Sequence, residues 1–151
     1  MKLYWNNINI RTFLTRRLRN IELFNKVFPL GTGGDGRYNY IVWMTHLNRL
    51  NTNGFAGVPK TVAELGPGDS IGVGLAALLS GAKSFVALDI HNYYDVQKNL
   101  KDFDILVSLF KNRTSIKGGF EFPDKIITEE VLKESMNPTR IENIRKELCN
   151  I

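Results

Sequence analysis

Thr61-Val-Ala-Glu64-Leu-Gly66-Pro-Gly68-Asp-Ser70-Ile-Gly72 is the stretch on which the fold turns. Its first five residues are short, mostly apolar and followed at once by glycines, which reads as a buried strand. Ile71–Ser80 is a run of small and aliphatic residues closed by Gly81, a residue type suited to a helix C-terminus. Ser84–Ile90 is a second apolar run, and Val96, Leu100, Phe103, Val107 and Phe110 lie at helical spacing beyond it. Strand, helix, strand, helix is the pattern of parallel βα units, so an α/β fold with a parallel sheet is expected.

Downstream, Gly118–Lys125 reads as a loop and Glu129–Ser135 as a short helix. Asn137 then caps a last helix with Pro138 at its first position, burying Ile141, Ile144, Leu148 and Ile151. Upstream, Ile10, Phe13, Leu14, Leu18, Ile21, Phe24 and Phe28 form an apolar stripe, so residues 8–28 read as an amphipathic helix ended by Pro29 and Gly31. Gly31–Gly36 is a glycine-rich loop. A second helix is expected over about Asn39–Leu50, burying Ile41, Trp43, Met44 and Leu47, and Asn51–Lys60 is a loop. The character of the chain changes at Thr61. The expected division is therefore an N-terminal helical cap over 1–60 and the first βα units over 61–151. A doubly wound sheet has five or six strands. With two in sight, the expectation is the front part of a larger domain or a sheet completed by something else, with oligomers or a partner among the consequences.

At 43% apolar and 23% charged residues, the composition is that of a globular chain. The longest nearly apolar stretch, Ile71–Ala82, is twelve residues, against the ~20 needed to cross a membrane. Met1–Ile10 has no apolar signal-peptide core. A soluble, cytoplasmic protein with no membrane partner is expected, and the single Cys149 fits a reducing compartment. Charge is uneven: residues 1–60 hold nine Lys and Arg against two acids, a net +7, while the rest sums to −2. A basic end can attract nucleic acid, but the plainer reading is a solvated helix face, and no basic-aromatic stacking pattern supports RNA strongly.

The segment between the two strands carries the chemistry. Gly66 and Gly68 allow a sharp turn and close approach of a ligand to bare backbone. The helix that follows points free N–H groups the same way, and Asp69 or Ser70 can cap it. Asp89 ends the next strand 21 residues after Gly68, where a carboxylate can accept both hydroxyls of a ribose. A dinucleotide loop of the form G-x-G-x-x-G would need glycine at position 71, which is Ile71. The spacing here is G-x-G-x-x-x-G through Gly72, which some NADP sites tolerate. Glu64 and Asp69 would repel a diphosphate, and Asp89 a 2′-phosphate. A cofactor with a cationic end suits this acidic loop better.

The stretch from Ala63 to Ile90 resembles the first two motifs of class I S-adenosylmethionine-dependent methyltransferases, enzymes with a Rossmann-like parallel sheet. Glu64, Gly66 and Gly68 match the first motif, and Ser70 stands where a third glycine is usual. The resemblance implies that Gly66, Pro67, Gly68 and Ser70 lie against the methionine part of S-adenosylmethionine. It implies that Asp89 holds the ribose and Ile90 packs on the adenine. It further suggests an N-terminal lid, in which Arg37 meets the methionine carboxylate; the plainer reading of 33–40 is a loop and helix start. The motif match covers about a fifth of the chain.

His91 lies at the mouth of this segment and can serve as a base, but a solvated loop histidine is the commoner case. His46 sits among Trp43, Met44 and Leu47 and reads as structural. Two histidines and one cysteine, far apart, give no metal-ligand spacing. No catalytic residue or methyl acceptor can be named. The alternatives are an NAD(P)-binding oxidoreductase fragment and an inactive remnant or partner-completed subunit.

Overall fold

The structure, a computed structural model, describes residues 34–90, 92–116 and 121–151. The expected helix over 8–28, the first half of the glycine-rich tract, His91 and part of the 118–125 loop lie outside the described residues. The described elements are α1 (Gly36–Thr52), β1 (Thr61–Leu65), α2 (Gly72–Leu79), β2 (Ser84–Leu88), α3 (Val96–Lys111), α4 (Glu129–Ser135) and α5 (Pro138–Leu148). The two strands pair in parallel, Thr61 opposite Ser84 through Leu65 opposite Leu88. The fold is thus mixed α/β around a two-stranded parallel sheet, joined by a helical crossover.

The helices start where side chains satisfy free backbone N–H groups. Asp35 accepts from the Tyr38 amide at 2.9 Å and starts α1 three residues earlier than the hydrophobic pattern suggests. Asp95, Thr128 and Asn137 cap α3, α4 and α5 in the same way. Pro138 takes the first position of α5, where its missing N–H costs nothing. The α2 helix is different. Its cap residue is Ile71, with no side-chain cap bond of its own. A Ser70 Oγ contact to the Gly72 amide and a bond from the Ile71 amide to Asn99 Oδ1 replace it.

Tyr40, Trp43, Met44 and Leu47 of α1 join Leu75, Leu78 and Leu79 of α2 and Phe103, Leu106 and Phe110 of α3 in one core. Trp43 donates to Ser80 Oγ at 2.8 Å, and Tyr40 to the Thr114 carbonyl at 2.6 Å, so both amphipathic rings are buried with their polar atoms partnered. Ile41, expected inside, is 38% exposed. At 100° per residue it lies well off the face set by Tyr40, Trp43, Met44 and Leu47. Ile144 and Leu148 are buried, while Ile141 and Ile151 pack against the core more loosely.

Only one face of the sheet is covered among the described residues. Phe85 and Ala87 are buried beneath the helices, in register with Val62 and Glu64. The opposite face carries Thr61, Ala63 and Leu65, all exposed, with Leu65 at 80%. β1, read from the sequence as a buried strand, is therefore half-buried, with its side chains alternating between core and surface. Among the described residues no helix is long and apolar enough to cross a membrane. Cys149 is free and exposed at the end of α5.

Candidate cofactor site

The loop between β1 and α2 is set by its two glycines. Gly66 and Gly68 both have φ near +70°, the left-handed region that strains other residues. No heavy atom lies within 4 Å of where a Cβ would stand on either. The backbone is therefore open on that side. Pro67 is buried between them. The Gly66 amide donates to the Leu88 carbonyl at 2.7 Å, and the Gly68 amide donates to Asp89 Oδ2 at 3.1 Å. The structure thus brings Gly66, Pro67, Gly68 and Asp89 together at the C-terminal edge of the strand pair. Ile90 follows directly and is 54% exposed, available to a planar ligand beside Asp89.

The other expected residues are placed less uniformly. Ser70, expected along the ligand side of the loop, carries its hydroxyl into the interior instead. It is 5% exposed and donates to Asp102 Oδ2 at 2.7 Å. Asp69 pairs with Lys98 at 3.1 Å, so part of the acidity expected in the loop is neutralised. Arg37 lies exposed in the first turn of α1, two residues before Asn39, whose side-chain amide reaches Ser70 Oγ at 3.3 Å.

Glu64 is on the covered face of β1. It lines a groove of about 640 Å³ with Val62, Val73 and, from α1, Trp43, His46 and Arg49. Its Oε2 is buried with no hydrogen-bond partner among the described residues. Burial pushes the Glu64 carboxyl up to about 7, because a low-dielectric site disfavours the charged form. His46, expected among core residues, is exposed on this groove. It belongs to the α1 face that turns away from Met44 and Leu47.

Three residues that pattern reading passed over hold the loop from behind. Asn99 donates to the Asp69 carbonyl at 2.9 Å and accepts from the Ile71 amide at 2.8 Å. Asp102 is 2% exposed, and Asn39 is 4% exposed with its Nδ2 3.4 Å from Asp102 Oδ2. Desolvation raises the Asp102 pKa, opposed by hydrogen bonds from Ser70 and the Gly36 amide. The sequence does hold a signal for two of them. Asn99 and Asp102 fall on the same helical stripe as Phe103 and Leu106, and polar residues on an apolar stripe mark a buried network.

Comparison with protein-family models, with curated proteins and with solved structures finds no match to this chain. The geometry itself provides an open glycine backbone at the head of α2 with Asp89 just past the neighbouring strand and, on the covered face of the sheet, the buried Glu64 carboxyl in a groove of its own.

Proposed function

We propose that this chain binds S-adenosylmethionine through the Gly66–Ser70 loop and Asp89 on a Rossmann-like sheet, as the cofactor-binding part of a class I methyltransferase. One observation carries the reading: two left-handed glycines with bare Cβ positions, Gly66 bonded to the Leu88 carbonyl and Gly68 to the Asp89 carboxylate just past the next strand. Asp89 keeps one oxygen on the Gly68 amide. A carboxylate at this position has two oxygens and can accept from the hydroxyls of a ribose. Gly66 and Gly68 leave room for the amino-acid end of the cofactor, and Ile90 offers an apolar surface for the base. When bound, the cofactor supplies a methyl group on a good leaving group. The protein's task is then to hold donor and acceptor in line and keep water out.

An NADP-dependent oxidoreductase is the competing nucleotide reading, and it relies on Gly72 as a third glycine. That glycine faces Asn39 rather than the open side of the loop: a Cβ there would meet Asn39 Nδ2 at 2.0 Å. A partner-completed subunit is a further reading, favoured by the exposed face around Leu65. Calorimetric titration with S-adenosylhomocysteine tests the main proposal. Saturable heat is expected, and no heat at millimolar ligand with intact circular dichroism sinks it. Enhanced NADPH fluorescence on mixing would favour the oxidoreductase instead.

A further inference from the structure

The buried acid Asp102 touches neither the open side of the loop nor the groove beside Glu64. Buried carboxylates are costly, so its partners indicate what it does. It receives the Ser70 hydroxyl at 2.7 Å, from the loop, and lies 3.4 Å from Asn39 Nδ2, from α1. The Gly36 amide at the start of α1 also bonds to it. Asn39 reaches Ser70 Oγ directly at 3.3 Å, and the Gly34 carbonyl at 3.3 Å. Two glycines permit this closeness. A Cβ on Gly36 would meet the Asp102 carbonyl oxygen at 2.6 Å, and one on Gly72 would meet the Asn39 amide. Three elements distant in sequence therefore converge on one carboxylate.

We infer that Asp102 is a positioning residue that locks the first turn of α1 to the cofactor loop, so that the two open and close as one unit. Asp102 does not touch ligand. It acts through Ser70 on the backbone of residues 68–72, and through Gly36 and Asn39 on the turn that carries Arg37. Asn99 also holds the loop, at the Asp69 carbonyl and the Ile71 amide, but it makes no bond to α1, so removing the Asp102 carboxylate loosens both segments and uncouples them from each other. The consequence for binding is a loss of preorganisation: a ligand must then order the loop that Asp102 now holds ready. The binding part of this inference rests on the cofactor reading above, while the mechanical part does not.

Hydrogen exchange read by mass spectrometry on the full chain, with and without S-adenosylhomocysteine, separates the two. In unliganded Asp102→Ala, amides of 36–40 and of 66–72 are expected to exchange at least tenfold faster. Those of 75–79 and 85–87 should stay at wild-type rates. S-adenosylhomocysteine affinity is expected to fall about tenfold, with a smaller fall in Ser70→Ala. Faster exchange in only one of the two segments overturns the lock. So does wild-type affinity in a variant whose loop exchanges freely. If no protein, wild type included, binds the probe and yet both segments loosen together, the cofactor reading falls and the lock stands. If Asp102→Ala does not fold, Ser70→Ala and Asn39→Ala carry the same test. Each should loosen both segments, and loosening confined to the mutated one overturns the inference.

Discussion

The two faces of the small sheet differ in almost every respect. The covered face buries Phe85, against Gly74 of α2, together with Ala87, and aims Glu64 into a groove. The other face leaves Leu65 at 80% exposure and Ala63 open. Cohesion and the buried polar network lie on the covered side, and the glycine loop is held from that side. The strand ends reach the site from a sheet that is supported asymmetrically. Substitutions should therefore have unequal effects on the two faces, even where the residues are alike in size and polarity.

The sharpest contrast is between Phe85 and Leu65. Phe85→Ala opens a cavity in a fully buried position and should cost about 3–5 kcal/mol in denaturant unfolding. A cost near that of a surface substitution would break the comparison. Glu64 comes next. Its folded pKa, about 7, is raised from 4.5, so the folded state holds a proton that the unfolded state has lost between those values. Stability from this group is therefore full at low pH and declines as pH rises from about 4.5 through 7. Glu64→Gln should flatten that decline, and at pH 8 it should be more stable than wild type by up to about 2–3 kcal/mol. Thermal melts from pH 5 to 8 would show parallel curves if the carboxyl is not held in a dry site.

Asp89→Ala is expected to weaken S-adenosylhomocysteine binding at least tenfold by calorimetry, with a stability loss of only about 1 kcal/mol from the lost Gly68 bond. Equal binding by the variant would remove Asp89 from the site. The smallest effect belongs to the open face. Leu65→Ser should change stability by no more than about 0.5 kcal/mol, measured by the same unfolding experiment as Phe85→Ala.

Much of this architecture was legible in the residue order. The helices from Val96 onward combine a clear 3.6-residue stripe with strong cap residues at Asp95, Thr128 and Asn137, so local and tertiary preferences agree. The strands were legible as short apolar runs abutting glycines. The start of α1 was harder, because Asp35 caps it from within a glycine-rich tract whose composition suggests only loop. The openness of β1 was also hidden, since Thr61-Val-Ala-Glu-Leu has too few polar residues to show which face meets solvent. At the site, the glycine turn and Asp89 followed from spacing within one βαβ unit. The inward turn of Ser70 did not. It depends on Asn39 and Asp102, brought from 31 and 32 residues away by tertiary packing.

Cys149 gives the molecule a practical property. It is the single thiol in the sequence and is exposed. It follows Leu148, whose carbonyl accepts the Tyr94 hydroxyl at 2.8 Å. Tyr94 lies between Asp89 and the cap of α3, so one hydrogen bond links the end of the chain to the segment leaving β2. A fluorophore attached at Cys149 would need no cysteine engineering, and its emission would act as an optical gauge of movement at the mouth of the site.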